Sequence, residues 1–146
     1  MPHDDEEQRA WERTCPAAIT SDVLWKLDAY RVAMYLIHLA RQDCRRGRAS
    51  RADPWLLSQL IRATGSISAH VSEGYSRRTR ADRLRFLDYA LSSARESVSW
   101  YESLRGVISD DIVDSRVALL ARLRSLLLGF IRSLREDGGA SGGLEH

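Results

Sequence analysis

Apolar residues recur at steps of three and four along four long segments of this chain, and no segment alternates apolar and polar residues as a half-buried strand does. The segments cover about residues 22–45, 54–73, 80–105 and 110–136. Two of them open on helix-start signals, Asp53-Pro54 and the pair Thr79 and Asp82. Joined by short connections, four such helices predict an all-α fold, an antiparallel up-down-up-down four-helix bundle over residues 21–136.

Both ends of the chain lack this periodicity. We expect residues 1–20 to form a mobile N-terminal arm and the glycine-rich residues 137–146 to form a flexible tail, whose closing Leu144-Glu145-His146 is typical of a cloning scar. The first residues are acidic, unlike a secretory signal peptide, and Cys15 and Cys44 form no CxxC pair. Both features favour the cytoplasm. No run of about 18 apolar residues exists, so no membrane span is predicted.

The first predicted helix carries two apolar stripes on nearly opposite sides. One stripe runs from Val23 through Tyr30 to Ile37. The second stripe consists of Leu24, Trp25, Val32, Tyr35, Leu36 and Leu39. A bundle core covers only one face of a helix, and six large apolar side chains would make an unusual exposed patch on a soluble monomer. We therefore expect the second stripe to form the interface of a homo-oligomer.

Positive charge is concentrated in the middle of the chain. The net charge is only +2, but eleven arginines and four acidic residues lie between residues 41 and 85. Bundle topology divides the basic residues between two ends. At one end are Arg41, Arg45, Arg46, Arg48 and Arg51, partly offset by Asp110 and Asp111 of the turn before the last helix. At the other end are Arg77, Arg78, Arg80, Arg83, Arg85, Arg132 and Arg135, with fewer acids nearby.

Two interpretations fit these arginine clusters. Guanidinium groups bind phosphates well, so the clusters predict contacts to RNA or DNA through the phosphate backbone, with the second cluster the better candidate. A solvated surface that keeps a compact domain soluble is the competing interpretation.

Sites for chemistry are sparse in the sequence. His70 and Glu73 have the spacing of a Glu-x-x-His ligand pair in reverse, and two ligands alone hold no metal, so neither a metal nor a cofactor is predicted. His38 lies between the two stripes, where we expect a packed histidine. Arginines beside Cys44 could lower its pKa, yet no histidine pairs with it in the sequence, which favours an incidental cysteine. Phosphate-binding and nucleophile motifs are also missing, so the pattern indicates a non-catalytic protein.

A gapped motif occupies the second and third predicted helices. It reads Arg62-Ala63-Thr64-Gly65-Ser66-Ile67, then Ser72-Glu73-Gly74-Tyr75-Ser76-Arg77, then Phe86-Leu87, followed by Ala90, Ser93 and Glu96. The motif resembles that of the four helix bundle protein family, also called 23S rRNA intervening-sequence proteins, and the resemblance covers about residues 24–134. The chain departs from the family pattern at His70, Ser72 and Ser92, where the family usually has Asn, Ala and Gly.

The resemblance implies a small helical bundle that assembles into a ring-like homopentamer. It also implies similarity to the accessory variability determinants of diversity-generating retroelements, which partner a reverse transcriptase and bind nucleic acid. We therefore expect a non-catalytic oligomeric scaffold that binds RNA or DNA, with a reverse transcriptase as a candidate partner. A protein-interaction bundle without a nucleic-acid role is the alternative. We expect Arg62, Glu73 and Glu96 to fix the register of the helices rather than to form an active site.

Overall fold

The computed structural model describes residues 5–141, and over this range the chain is all-α, without a β-strand. Its helices are α1 (Asp5–Glu12), α2 (Ala17–Thr20), α3 (Asp28–Ala49), α4 (Pro54–Ser76), α5 (Arg80–Ser103) and α6 (Asp110–Ser141), with a 3₁₀ turn at Val23–Lys26 before α3. None of these helices is long and apolar enough to cross a membrane.

Side-chain caps begin the long helices where the sequence predicts them. Asp53 accepts a hydrogen bond from the backbone N–H of Trp55 at 2.9 Å, and Pro54 occupies the first turn of α4. Thr79 accepts one from the N–H of Asp82 at 3.2 Å and begins α5. The helix predicted from residue 22 begins later, at Asp28, because the side chain of Asp22 caps the short 3₁₀ turn instead.

The four long helices α3 to α6 pack side by side, each against the next in the chain, and α3 also contacts α6. Their inward stripes form one apolar core. Leu60 and Ile67 of α4, Leu87 of α5, and Leu120 and Leu127 of α6 are all essentially inaccessible to solvent. Small buried residues of α4 and α5, including Ala63, Ala90 and Ser93, let these two helices approach closely.

The face of α3 that enters the core is the reverse of the one predicted. Val32, Tyr35, Leu36 and Leu39, expected at an oligomer interface, are buried within the single chain, with Val32 and Leu36 fully inaccessible. The prediction is wrong for these four residues. Alanines of α3 lie beside them on the same side of the helix, and these small residues favour packing on that side. Fully buried small residues, Ala33 among them, let α3 lie close to its neighbours on that side. Leu24 and Trp25 are half-buried in the 3₁₀ turn.

The ends of the described chain are also more regular than expected. The predicted N-terminal arm contains α1 and α2, and α1 packs on α3 through Trp11, whose ring centroid lies 5.3 Å from that of Tyr35 and 5.6 Å from that of His38. Packing of this large aromatic residue orders a segment that has no long periodic stripe of its own. At the other end, α6 continues to Ser141, into the predicted tail. Residues 142–146, including Leu144, lie outside the described residues.

A polar network inside the core joins three of the long helices. Asp43 of α3 has no accessible surface, and its carboxylate accepts hydrogen bonds from Arg116 Nε at 2.8 Å and Nη2 at 3.1 Å. Tyr101 of α5 donates its hydroxyl to the same carboxylate at 2.8 Å, and Arg46 donates to it at 2.7 Å. Burial, followed by the charge of Asp43, raises the pKa of Tyr101 well above its ordinary value, so the phenol stays a donor.

Candidate nucleic-acid interface

The α4–α5 turn and the end of α6 meet at one end of the molecule. A Cβ atom added at Gly138 of α6 would lie 2.5 Å from Nη1 of Arg80, so the guanidinium of Arg80 rests against the α6 backbone. Nearby, a cavity of about 250 Å³ is lined by Tyr75, Arg83, Phe130 and Leu134, which come from α4, α5 and α6. The structure therefore brings together the two sequence segments of the second arginine cluster, residues 77–85 and 132–135.

An aromatic ring holds two of these arginines in place. The guanidinium carbon of Arg77 lies 4.6 Å from the centroid of Phe86, and that of Arg85 lies 5.4 Å from it. Arg83 donates its Nε–H to the backbone carbonyl of Arg77 at 2.7 Å. Arg85 is also paired with Asp82 at 3.2 Å, which neutralises part of the charge. These contacts position Arg77 and Arg83 without cancelling their charge.

Three further arginines of this cluster project into solvent. Arg78, Arg132 and Arg135 are exposed, and no carboxylate among the described residues lies within 4.0 Å of their guanidinium groups. Arginines without acidic partners keep their donors available for an external anion. The end of the molecule formed by α4, α5 and α6 is therefore basic and accessible.

Aromatic rings continue from this basic end along the seam between α4 and α5. Tyr89 is 46% exposed, and its ring centroid lies 5.7 Å from Phe86 and 5.5 Å from His70. A partly exposed tyrosine beside arginines can stack a base while the guanidinium groups contact phosphates. His70 has no hydrogen-bond partner on its buried Nδ1 in the described part of the chain, and Glu73 lies 3.9 Å from that atom. No third metal-ligating side chain joins them within residues 5–141.

The other arginine cluster lies at the opposite end of α4, and its surroundings differ from the prediction. Arg46 pairs with the buried Asp43, and Arg51 adopts a positive φ of 60° in the α3–α4 turn. Asp110, expected to offset this cluster, instead lies 3.9 Å from Arg105. Arg45 is exposed, and no carboxylate in the described chain lies within 4.0 Å of it. The carboxylate that offsets this cluster is therefore Asp43, which pairs with Arg46, and not Asp110.

Two of the three polar motif residues join α4 to α5, whereas Glu73 lies beside His70 of its own helix. Arg62 of α4 forms an ion pair with Glu96 of α5, and Glu96 also accepts a hydrogen bond from Trp100 Nε1 at 3.2 Å. Trp100 in turn meets the ring of Trp55 edge-on at 5.5 Å. The arrangement ties α4 to α5 beside the aromatic seam.

The cysteine and histidine of α3 lie in surroundings that oppose ionisation. Burial raises the pKa of the Cys44 thiol, an effect larger than the opposing one of Arg48. The neighbouring arginines therefore do not activate this thiol, contrary to the possibility read from the sequence. Burial, and then the charges of Arg41 and Arg45, lower the pKa of His38.

Comparison with known proteins shows the family. The model of a family described as 23S rRNA-intervening sequence protein matches residues 26–129. Among solved structures, the chain is similar to a protein of unknown function from the S23 ribosomal protein family of Bacteroides thetaiotaomicron. The TM-score is 0.67 at 21% sequence identity, and the match covers 70% of this chain and 97% of that one. A search of curated proteins found no match.

Proposed function

We propose that this chain, which belongs to the 23S rRNA-intervening sequence protein family, is a non-catalytic scaffold that binds RNA or DNA through phosphates. The observation that carries the proposal is the basic end built from α4, α5 and α6. There Arg77 is held on the ring of Phe86 while Arg78, Arg132 and Arg135 have no acidic partner in the described chain. Of these contacts only the pair Arg85–Asp82 offsets charge, and a positioned group of mostly unpaired arginines suits a polyanion.

Phosphate contacts, rather than readout of bases, are the expected mode of binding. No recognition helix or base-reading motif is visible in the sequence, and the basic end is formed by helix termini and a turn. Binding should therefore depend strongly on salt and weakly on nucleotide sequence.

The scaffold is proposed to be an up-down-up-down four-helix bundle that forms a ring-like homo-oligomer. The number five and a reverse transcriptase as protein partner both come from the family resemblance. Exposed apolar side chains outside the predicted stripe, Trp55 and Leu128 among them, support association of subunits. A ring would repeat the basic end in every subunit and multiply its attraction for a long polyanion. Light scattering at micromolar concentration tests the assembly, and a monomer mass would rule it out.

Fluorescence anisotropy with labelled single-stranded RNA, single-stranded DNA and duplex DNA tests the function. Each phosphate contact should add about 0.7–0.9 to the slope of log affinity against log salt. The triple variant Arg77→Ala, Arg78→Ala, Arg80→Ala should lower affinity for every nucleotide sequence and flatten this slope.

A matched control separates a local site from a general effect of charge. Arg9, Arg95 and Arg124 are exposed arginines outside both clusters, so changing these three to Ala removes the same charge elsewhere. We expect this control to keep most of the affinity. If both triple variants weaken binding equally, the basic end is not the site. If the parent protein binds no nucleic acid at low salt, the protein-interaction bundle replaces the proposed function.

A further inference from the structure

The outward face of α3 carries a long groove that the proposed function does not use. One cavity of about 310 Å³ is lined by Trp11, Met34 and His38, among others. A second cavity of about 300 Å³ is lined by Arg41, Cys44, Arg45, Arg48 and Ile61. Ile37 and Arg41 line both cavities, so the two lie next to each other along α3. The first cavity is the upper half of this groove and the second is its lower half.

A row of three arginines borders the lower half of this groove. Arg41, Arg45 and Arg48 stand at positions i, i+4 and i+7 of α3, on one side of the helix. Like charges at this spacing destabilise a helix, and no carboxylate of the described residues lies within 4.0 Å of any of the three. Each of these charges is therefore available for a negative group from outside.

The chain itself shows what kind of element covers this face. At the upper end of the groove, α1 packs on α3, and α1 is an acidic helix with Asp5, Glu6, Glu7 and Glu12. Its Trp11 is the apolar anchor, 5.6 Å from the ring of His38. Glu12 lies 3.5 Å from Arg31 of α3. Arg31 lies outside the lining of both cavities, and Asp5 of α1 pairs with Arg122 of α6. The precedent in this chain is therefore an acidic helix that packs on α3 through one large apolar side chain.

We propose that the lower half of the groove binds an acidic amphipathic helix of a partner protein. One large apolar side chain would lie over Ile37 and Ile61, and carboxylates spaced at i, i+4 and i+7 would face Arg41, Arg45 and Arg48. The arginine row spans about 10 Å at 1.5 Å per residue, which is two turns of a partner helix.

The composition of the groove favours a protein over a nucleic acid. The lining of the lower cavity is aliphatic apart from its arginines and Cys44, so it offers no aromatic ring on which a base could stack. An apolar floor with charges along one edge is typical of helix-in-groove recognition. The site also differs from the basic end, which lies at the α4–α5 turn.

The test uses a synthetic 15-residue helical peptide of Ala, Leu and one Trp, with Glu at three positions spaced i, i+4 and i+7, and a control peptide with Gln at those positions. Anisotropy of the labelled Glu peptide should show saturable, salt-sensitive binding, with the Gln peptide weaker. The triple variant Arg41→Glu, Arg45→Glu, Arg48→Glu should lower affinity for the Glu peptide by about tenfold or more. A Lys version of the peptide should regain affinity for that variant.

Two controls make each outcome decisive. Circular dichroism shows whether the charge-reversed variant is folded, and the milder variant Arg45→Gln, Arg48→Gln replaces it if it is not. The variant Arg77→Ala, Arg78→Ala, Arg80→Ala should bind the peptide as the parent does, so failure here and failure of the proposed function are separable. The proposal is overturned if the Glu and Gln peptides bind alike. It is also overturned if single-stranded RNA displaces the peptide from the groove, because the occupant is then a nucleic acid. A change in oligomeric mass on charge reversal overturns it too, because the occupant is then a second copy of the chain.

Discussion

Replacing Asp43 with alanine tests whether the buried network holds the long helices together. The carboxylate of Asp43 receives four hydrogen bonds, two from Arg116, one from Tyr101 and one from Arg46. Arg46 is exposed and can turn to water once the carboxylate is gone. Arg116 is only 9% exposed and Tyr101 is fully buried, so neither can do so without moving helices.

The expected loss of stability follows from these burials. Removing one partner of a buried ion pair costs about 3–5 kcal/mol, because the remaining charge is left without compensation. The orphaned hydroxyl of Tyr101 adds about 1–3 kcal/mol, although the two costs overlap. A domain of this size is stable by about 5–15 kcal/mol, so Asp43→Ala should remove about a fifth of the total or more.

Urea denaturation followed by circular dichroism measures this loss. A matched control is Asp114→Ala, since Asp114 also pairs with an arginine, Arg105, at 2.7 Å but on the surface, and its midpoint should move little. A triple replacement, Asp43→Leu with Tyr101→Phe and Arg116→Met, removes all the buried polar groups together and should be more stable than Asp43→Ala alone. A loss below about 1 kcal/mol for Asp43→Ala would refute the reasoning, as would a triple variant less stable than the single one.

Three further expectations concern α3 and the helix packed on it. In the folded protein, Cys44 should react with a thiol reagent more slowly than the half-exposed Cys15, and equal rates would contradict the burial argument. Folding lowers the pKa of His38 below its ordinary value of 6.5, so the unfolded chain binds the proton first as the pH falls. The free energy of unfolding should therefore decline below about pH 6.5, and it should decline less steeply in His38→Gln. Trp11→Ala should detach α1 and speed tryptic cleavage at Arg13, measured by mass spectrometry; an unchanged cleavage rate would show that Trp11 does not anchor the helix.

The basic end illustrates what topology adds to sequence patterns. Arg77 to Arg85 and Arg132 to Arg135 are about fifty residues apart in the chain, and consecutive antiparallel helices already predict that they share one end. The structure agrees, since Arg80 lies against Gly138. The ring of Phe86 under Arg77, and the pairing of Arg85 with Asp82, depend on side-chain directions that spacing alone does not specify.

Local chemistry by itself determined the four long helices. Periodic apolar residues, the cap at Asp53 and the cap at Thr79 act over three or four residues, and the structure places α4 and α5 where those signals lie. Only the tertiary structure determined which of the two apolar stripes of α3 faces the core. Both of its stripes satisfy the same helical period, and the choice between them depends on which side allows closer packing with α4 and α6.

Local sequence patterns likewise do not predict the pairing of Asp43 with Arg116. The two residues are 73 positions apart, and each resembles an ordinary surface charge in the sequence. Only the packing of α3 against α6 removes both residues from water. Once they are buried, each charge needs the other as its partner, because an unpaired charge in the core is far more costly than one in solvent. Periodicity over a few residues therefore determines the four long helices of this chain. Burial, which depends on distant neighbours, determines the faces and charges that these helices bring together, and it also orders α1.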